Sequence, residues 1–361
     1  MANILHLSRT MGQGGAEKVI YQICKDDQSD RHFVASCGGF YVPLLAAQGV
    51  KHFEIPDTVV KSPANILRTL MTLRRVVKEE KIDIVHSHHR LGAVYGRLLQ
   101  MQFRNLKHLY TAHNVFLDSQ KMMAFALEKA TIVACGKTVA QNLEEVYHIA
   151  PEKITVIHNS IEKPVVSGTV PQALLTAKAS GRYLIGSIGR LTEQKGMDIF
   201  IRALQEVSQV HSEVLGVIVG DGEKRAELEK LVADLGLTQQ VLFLGNQTVV
   251  PAILQELEFV VLASRFEGFP LTPLEVFASE KTLIVSDIPS NLEIVHAGVE
   301  GLSFRSEDSQ DLAQKILTMM QVDREKMAVC GAKAYAQEFS YTKFILAYQA
   351  QYQKISGGKV K

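Results

Sequence analysis

Two glutamates, Glu267 and Glu275, stand eight positions apart in the stretch RFEGFPLTPLE (265–275), directly after the apolar run LEFVVLAS. A carboxylate accepts hydrogen bonds from vicinal hydroxyls in either of two orientations, so such a pair suits a polyhydroxylated ligand; general acid/base work is the competing reading. Gly268, Phe269, Pro270 and Leu271 make the turn between them. Thr272 followed three residues later by Glu275, with Pro273 at the first helical position, is a capping-box signature. Glu275 therefore has a structural use, whereas Glu267 precedes the turn and has no helix of its own to cap. A helix beginning here would also present N–H groups from about Leu271 onward to a phosphate.

Two further loops carry groups suited to a diphosphate. In GRLTEQKG (189–196), Arg190 can fork onto two phosphate oxygens and Lys195 adds a compact charge from the far side of the loop. In RTMGQGGAEK (9–18), Gly12, Gly14 and Gly15 let backbone approach a ligand ahead of a helix, although their spacing fits neither the dinucleotide fingerprint nor a P-loop. Asp221 of GDGEK is expected to be a turn or cap residue. His113 ends the apolar HLYTAH and can hydrogen-bond a sugar hydroxyl or hold charge near a reaction centre. The imidazoles of HSHHR lack a completing carboxylate or cysteine, so no metal site is expected, and core packing with hydrogen bonding is the reading for His86 and His88.

Positioning such loops calls for strands that end in them. Short apolar runs at 3–8, 32–37, 51–56, 82–88, 107–113, 130–136 and 154–159 read as strands separated by helical patterns. Periodicity lapses over 160–181, and a second series follows with YLIGSIG, LGVIVGDG, VLFLGN, FVVLAS and TLIVSD. The expected fold is α/β, two Rossmann-like parallel-sheet domains over 1–165 and 180–335, with a terminal helix in 336–361. Ligands of such sheets bind beyond the carboxyl ends of the strands, where the polar and glycine-rich loops fall.

The 361 residues carry a formal charge of +1, which argues against a nucleic-acid partner. Four scattered cysteines without metal-ligand spacing suit a reducing compartment. The amino terminus lacks a signal peptide's apolar core and no run reaches the roughly 20 apolar residues of a membrane span, so membrane contact is expected to be peripheral. The segment 61–107 holds ten Lys or Arg against three acids, mixed with apolar residues at helical spacing. It reads either as helices resting on an anionic leaflet or as helices packed on the sheet with arginines facing water.

Together GGAEK, HSHHRLGAVYG, TAHN, GRLTEQKG, GDG, EGFPLTPLE and SNLEIV resemble, in order and spacing, family 4 of the glycosyltransferases, over nearly the whole chain. The resemblance implies the GT-B arrangement of two facing Rossmann-like domains, acceptor on the first and nucleotide sugar on the second, with retention of configuration and no metal. It implies that Arg190 and Lys195 hold the diphosphate, Glu275 the ribose, and Glu267 and His113 the donor sugar. Gly14 and Gly15 would close over the phosphates, and Gly268 to Thr272 would line the site. The expected donor is a UDP-sugar, with a GDP-sugar as the alternative. The expected acceptor is a lipid-linked or oligosaccharide hydroxyl in bacterial cell-surface polysaccharide assembly, at the cytoplasmic face of the membrane. A soluble small acceptor, a nucleotide-sugar epimerase, a phosphorylase and a noncatalytic nucleotide-sugar-binding protein are the rival readings. One departure, IPSNLEIV after SD, bears on donor choice around Pro289 to Asn291.

Overall fold

Among the described residues, thirteen strands, each ending where its apolar run meets a polar loop, form two parallel sheets. The first seven are β1 (Asn3–Leu7), β2 (Arg31–Ser36), β3 (Lys51–Glu54), β4 (Ile84–Ser87), β5 (Lys107–Ala112), β6 (Thr131–Ala134) and β7 (Ile154–Val156), in the order β3-β2-β1-β4-β5-β6-β7. The second sheet contains β8 (Tyr183–Ile188), β9 (Val214–Val219), β10 (Val241–Gly245), β11 (Phe259–Leu262), β12 (Leu283–Ser286) and β13 (Gly301–Phe304), in the order β10-β9-β8-β11-β12-β13. Each has the doubly wound order, with its topological switch point between β1 and β4 or between β8 and β11. The computed structural model describes residues 1–357, so the last four residues of the predicted 336–361 segment lie outside the described residues.

The chain divides into two compact units, Met1–Ser160 with the segment from Tyr341 onward, and Ile161–Ser340. Both sheets are covered by helices, so central strands such as β9 are buried at every residue. In the first unit, the helix Tyr341–Ser356 contributes Phe344, Tyr348 and Tyr352 to a core with Ile4, Ile84, Leu109 and Val133. The i, i+4, i+8 spacing puts these three rings on one helical face. Their hydroxyls are satisfied within the core, Tyr352 by His86 Nδ1 (2.8 Å) and Tyr348 by Thr111 Oγ1 (3.2 Å).

Three local readings of the sequence need correction. The segment 160–181 contains a helix, Gln172–Ala179, which buries only Leu174, so its weak apolar face left no helical period to see. Strand β13, GLSF, is absent from the sequence reading because a four-residue edge strand has no continuous apolar run. The third concerns the start of the helix Thr272–Ala278. Leu271 occupies its cap position at φ −82°, ψ −24°, and no side chain caps it. A capping box needs an extended cap residue, whereas Thr272 is already inside the helix, so the predicted Thr272–Glu275 box does not form.

Candidate functional site

In the second unit the strand order sets the loop after β8 beside the loop after β11, and a dense set of contacts joins them. Arg265 N–H donates to Gln194 O (2.8 Å), and Gln194 Nε2 donates to Phe266 O (2.9 Å) and Glu267 Oε2 (3.0 Å). Arg265 binds Asp198 in a fork, both bonds 2.9 Å, and pairs with Glu307 at 2.7 Å. The Asp198 bonds, outweighing burial, push the Arg265 guanidinium above its usual range. This arginine anchors the start of the helix Met197–Val210 to the β11 loop.

Glu267 is buried, at 8% side-chain exposure, and its Oε1 accepts from Lys195 Nζ (2.5 Å) and Ser264 Oγ (2.7 Å). The structure thus brings Lys195 and Glu267 together as one ion pair. An ammonium has three donors, so the pair leaves Lys195 able to reach a second acceptor, but its charge is already balanced. Arg190 is different: it is exposed, its carbonyl accepts from Thr192 N–H (2.9 Å), and its guanidinium has no hydrogen-bond or ion-pair partner among the described residues. Glu275 is half-buried in the first turn of the helix Thr272–Ala278. Gly268, Phe269, Pro270, Leu271 and Thr272 are all buried, with the Phe269 ring 5.7 Å from that of Phe339.

Glycines make this loop packing feasible. A Cβ at Gly196, where φ is +60°, would lie 2.0 Å from the Ala263 carbonyl oxygen, and one at Gly220 would lie 2.0 Å from Gly189 O. Gly222 similarly faces Leu191 O at 2.4 Å, so the GDG glycines serve backbone-on-backbone packing between the β8 and β9 loops. Asp221 Oδ1 accepts from Gly222 N–H (2.7 Å), a turn role, since Lys224 holds the following helix cap. Gly196→Ala should cost about 3 kcal/mol, overpacking added to left-handed strain. Gly236→Ala, at φ +71° with open space, should cost only about 1 kcal/mol. Denaturant melts of the two variants test the difference, and equal losses would mean that close approach is not what requires Gly196.

The first unit places its candidate residues at the carboxyl ends of β1, β4 and β5. Gly14 caps the helix Gly15–Asp26 without a side-chain bond, leaving that helix start to other partners. The preceding loop is tied down by Met11 N–H to Gly38 O (2.8 Å) and by the Arg9–Asp57 fork at 2.9 Å. His113 follows β5 and contacts His88 (Nε2 to Nδ1, 3.0 Å), while its Nδ1 is buried and has no hydrogen-bond partner. Burial lowers the His113 imidazole to about 4, assisted by His89.

The nitrogens of His6, His86 and His88 lie within 4.8 Å of one another, as do ligand atoms of His6, Cys24 and His32. Every ring nitrogen of the first three already has a partner: His6 bonds His88 and His32, and His86 bonds Tyr352 and Thr111. His88 bonds His6 and His113. The cluster is thereby satisfied as a hydrogen-bonded network. In the basic segment, Arg97 is buried and pairs with Glu128, and Arg90 pairs with Asp118, so these two cations face neither open water nor a leaflet freely. Gln194 and Arg265 were not identified from sequence as site-forming, because their bonds join two loops and leave no periodic trace.

Residues 176–337 match the family described as glycosyl transferases group 1, and residues 13–163 match glycosyltransferase family 4. Over 141 residues the chain is 37% identical to the lipopolysaccharide core biosynthesis mannosyltransferase LpcC of Rhizobium leguminosarum bv. viciae. That match spans 38% of this chain and 40% of that protein. Over 310 residues it is 26% identical to the UDP-Gal:alpha-D-GlcNAc-diphosphoundecaprenol alpha-1,3-galactosyltransferase of Escherichia coli, spanning 80% of this chain and 79% of the relative. The crystal structure of Anabaena Alr3699/HepE in complex with UDP-glucose is similar with a TM-score of 0.85 at 21% identity, covering 98% of this chain and 100% of that one. The chain has the GT-B fold, built of two parallel-sheet, Rossmann-like units.

Proposed function

We propose that this protein is a retaining, metal-independent glycosyltransferase of family 4, moving a sugar from a UDP-sugar to a hydroxyl of a lipid-linked or oligosaccharide acceptor. The observation that carries this reading is the joined pair of loops at the β8/β11 switch point, where unpartnered Arg190 stands with the buried Lys195–Glu267 pair. The names of the Escherichia coli galactosyltransferase and of the UDP-glucose-bound structure support a uridine donor, and the rhizobial mannosyltransferase supports a cell-surface polysaccharide pathway.

As the bond from the sugar to the β-phosphate breaks, charge grows on the leaving diphosphate. Arg190 meets that charge directly, Lys195 through its remaining donors, and the uncapped start of the helix Met197–Val210 through its N–H groups. Cations and helix ends thus perform the electrostatic task a metal performs elsewhere. Glu267 holds hydroxyls of the donor sugar, Glu275 those of the ribose, and Gly14 and Gly15 lie against the phosphates. The leaving phosphate takes the acceptor proton on the same face, which accounts for retention without a protein nucleophile. His113 orients the donor sugar.

A membrane-bound acceptor draws support from the helix Pro63–Glu79, where Leu67 (59%) and Met71 (62%) are exposed among Arg68, Arg74 and Arg75. No helix among the described residues is long and apolar enough to cross a membrane. All four cysteines are free, in keeping with a cytoplasmic setting. Titration calorimetry with UDP, UDP-glucose and GDP-mannose tests the donor assignment. Binding of the uridine ligands that weakens at least tenfold in Arg190→Ala is expected; equal affinity of the variant would remove the diphosphate role of Arg190.

A further inference from the structure

Four imidazoles of the first unit form an unbranched hydrogen-bonded chain that begins at a carboxylate and ends at His113. Asp27 Oδ2 lies 3.1 Å from His32 Nε2, His32 Nδ1 lies 2.9 Å from His6 Nε2, and His6 Nδ1 lies 3.0 Å from His88 Nε2. His88 Nδ1 in turn lies 3.0 Å from His113 Nε2. Parallel pairing builds the chain, because His6 in β1 is in direct register with His86 in β4, and His32 sits opposite Ile4 in β2. The imidazoles of two strands, β1 and β2, and of the two loops that follow β4 and β5 thereby meet.

Where each ring carries a single N–H, the direction of every bond follows from the first. Asp27 Oδ1 accepts from Ser29 N–H (3.0 Å), Ser29 Oγ (2.6 Å) and Gln349 Nε2 (3.0 Å). Burial opposes ionisation of Asp27, but the bonds from His32 and Ser29 outweigh it and hold the carboxyl at about 2. An ionised carboxylate only accepts, so the proton of that bond belongs to His32 Nε2. Burial pushes His6 and His88 well below the usual imidazole range and His113 to about 4, so these rings are neutral and each carries one N–H. With His32 carrying a single N–H, the one donated to Asp27, His6 must donate from Nε2 to His32, His88 from Nε2 to His6, and His113 from Nε2 to His88. His113 Nδ1, which has no partner in the described residues, is left as a lone pair.

We propose that Asp27, His32, His6 and His88 are positioning residues that fix His113 as its Nε2–H tautomer, so that its Nδ1 accepts a hydrogen bond from a hydroxyl of the glycosyl donor. Asp27, at the far end of the chain, thereby sets the polarity of a contact it does not touch. The contact with the donor rests on the function proposed above; the tautomer does not.

Two-bond 15N–1H correlation spectra of the full-length, 15N-histidine-labelled protein at pH 8 read the tautomer without reference to activity. A His113→Gln sample assigns the resonance. The expected result is a single Nε2–H form of His113. A predominant Nδ1–H form, or an imidazolium, would overturn the proposal whether or not the protein transfers sugar. His32→Phe removes the link to Asp27 and leaves two chain directions open. The Nε2–H fraction should then fall to about one half, with about a twofold loss of donor kcat/KM. An unchanged single tautomer in that variant would also overturn the proposal, and should the variant fail to fold, the wild-type spectrum decides. Absence of donor turnover in the wild type, with His113 in the single Nε2–H form, would count against the function alone.

Discussion

Glu267→Gln is expected to lower turnover about 100-fold while leaving UDP affinity unchanged or tighter. The carboxylate balances the Lys195 ammonium across 2.5 Å at a buried site. Removing its charge leaves the lysine's positive charge for the diphosphate, which favours ground-state nucleotide binding. The same substitution places an amide where Gln194 Nε2 now donates to Glu267 Oε2, and losing that bond costs about 1 kcal/mol of local order. Contact with the donor sugar, proposed for Glu267, is then weakened where orientation matters most, and losses of about two orders of magnitude are typical when one polar group at a reacting centre is removed. Calorimetry with UDP and a product assay with a UDP-sugar separate the two effects. A loss of UDP affinity that matches the loss of turnover would contradict the pairing account.

Acidification from pH 7 to pH 5 should destabilise the first unit far more than the second. His6, His86, His88, His89, His108 and His113 are all held below the usual imidazole range by burial, with His89 and His113 near 4 and His108 near 3. In the unfolded chain each titrates near 6.5, so between that value and the lowered folded value the unfolded state binds more protons. Stability is therefore intact above about 6.5 and is lost as pH falls toward 4. Each imidazole that stays neutral in the folded state contributes a loss of about 2 kcal/mol between pH 6.5 and pH 5, comparable in sum with the whole stability of a domain. Hydrogen exchange at pH 7, 6 and 5, followed by mass spectrometry, should show protection lost first in β1, β4 and β5. Uniform loss across both units, or none in the first, would contradict the buried neutral network.

The two-sheet plan was legible because strands buried on both faces read as apolar runs, and because their carboxyl ends carry glycines and charges that a core strand would exclude. That the loops after β8 and β11 adjoin depends on β8 and β11 being neighbours, which sequence alone leaves to an assumption about strand order. The histidine chain was not legible: His6, His32, His88 and His113 are far apart in sequence and meet only through parallel register. Nor was the buried pairing of Lys195 with Glu267, since residue types show which charges exist and not which are already balanced. The capping box failed for a backbone reason, as the chain enters the helix through a helical Leu271 and leaves Thr272 no extended position from which to cap. Arg97 shows the limit of a charge count, being drawn into the unit by Glu128 although its segment is basic.

The central claim is transfer of a sugar with retention. Purified protein incubated with UDP-α-sugars, a short polyprenyl-diphosphate-sugar acceptor and EDTA, with products analysed by NMR, tests it directly. The account predicts an α-linked product from at least one UDP-sugar, undiminished by EDTA and abolished in Arg190→Ala. A β-linked product, epimerised donor without transfer, or saturable nucleotide-sugar binding without turnover would contradict it.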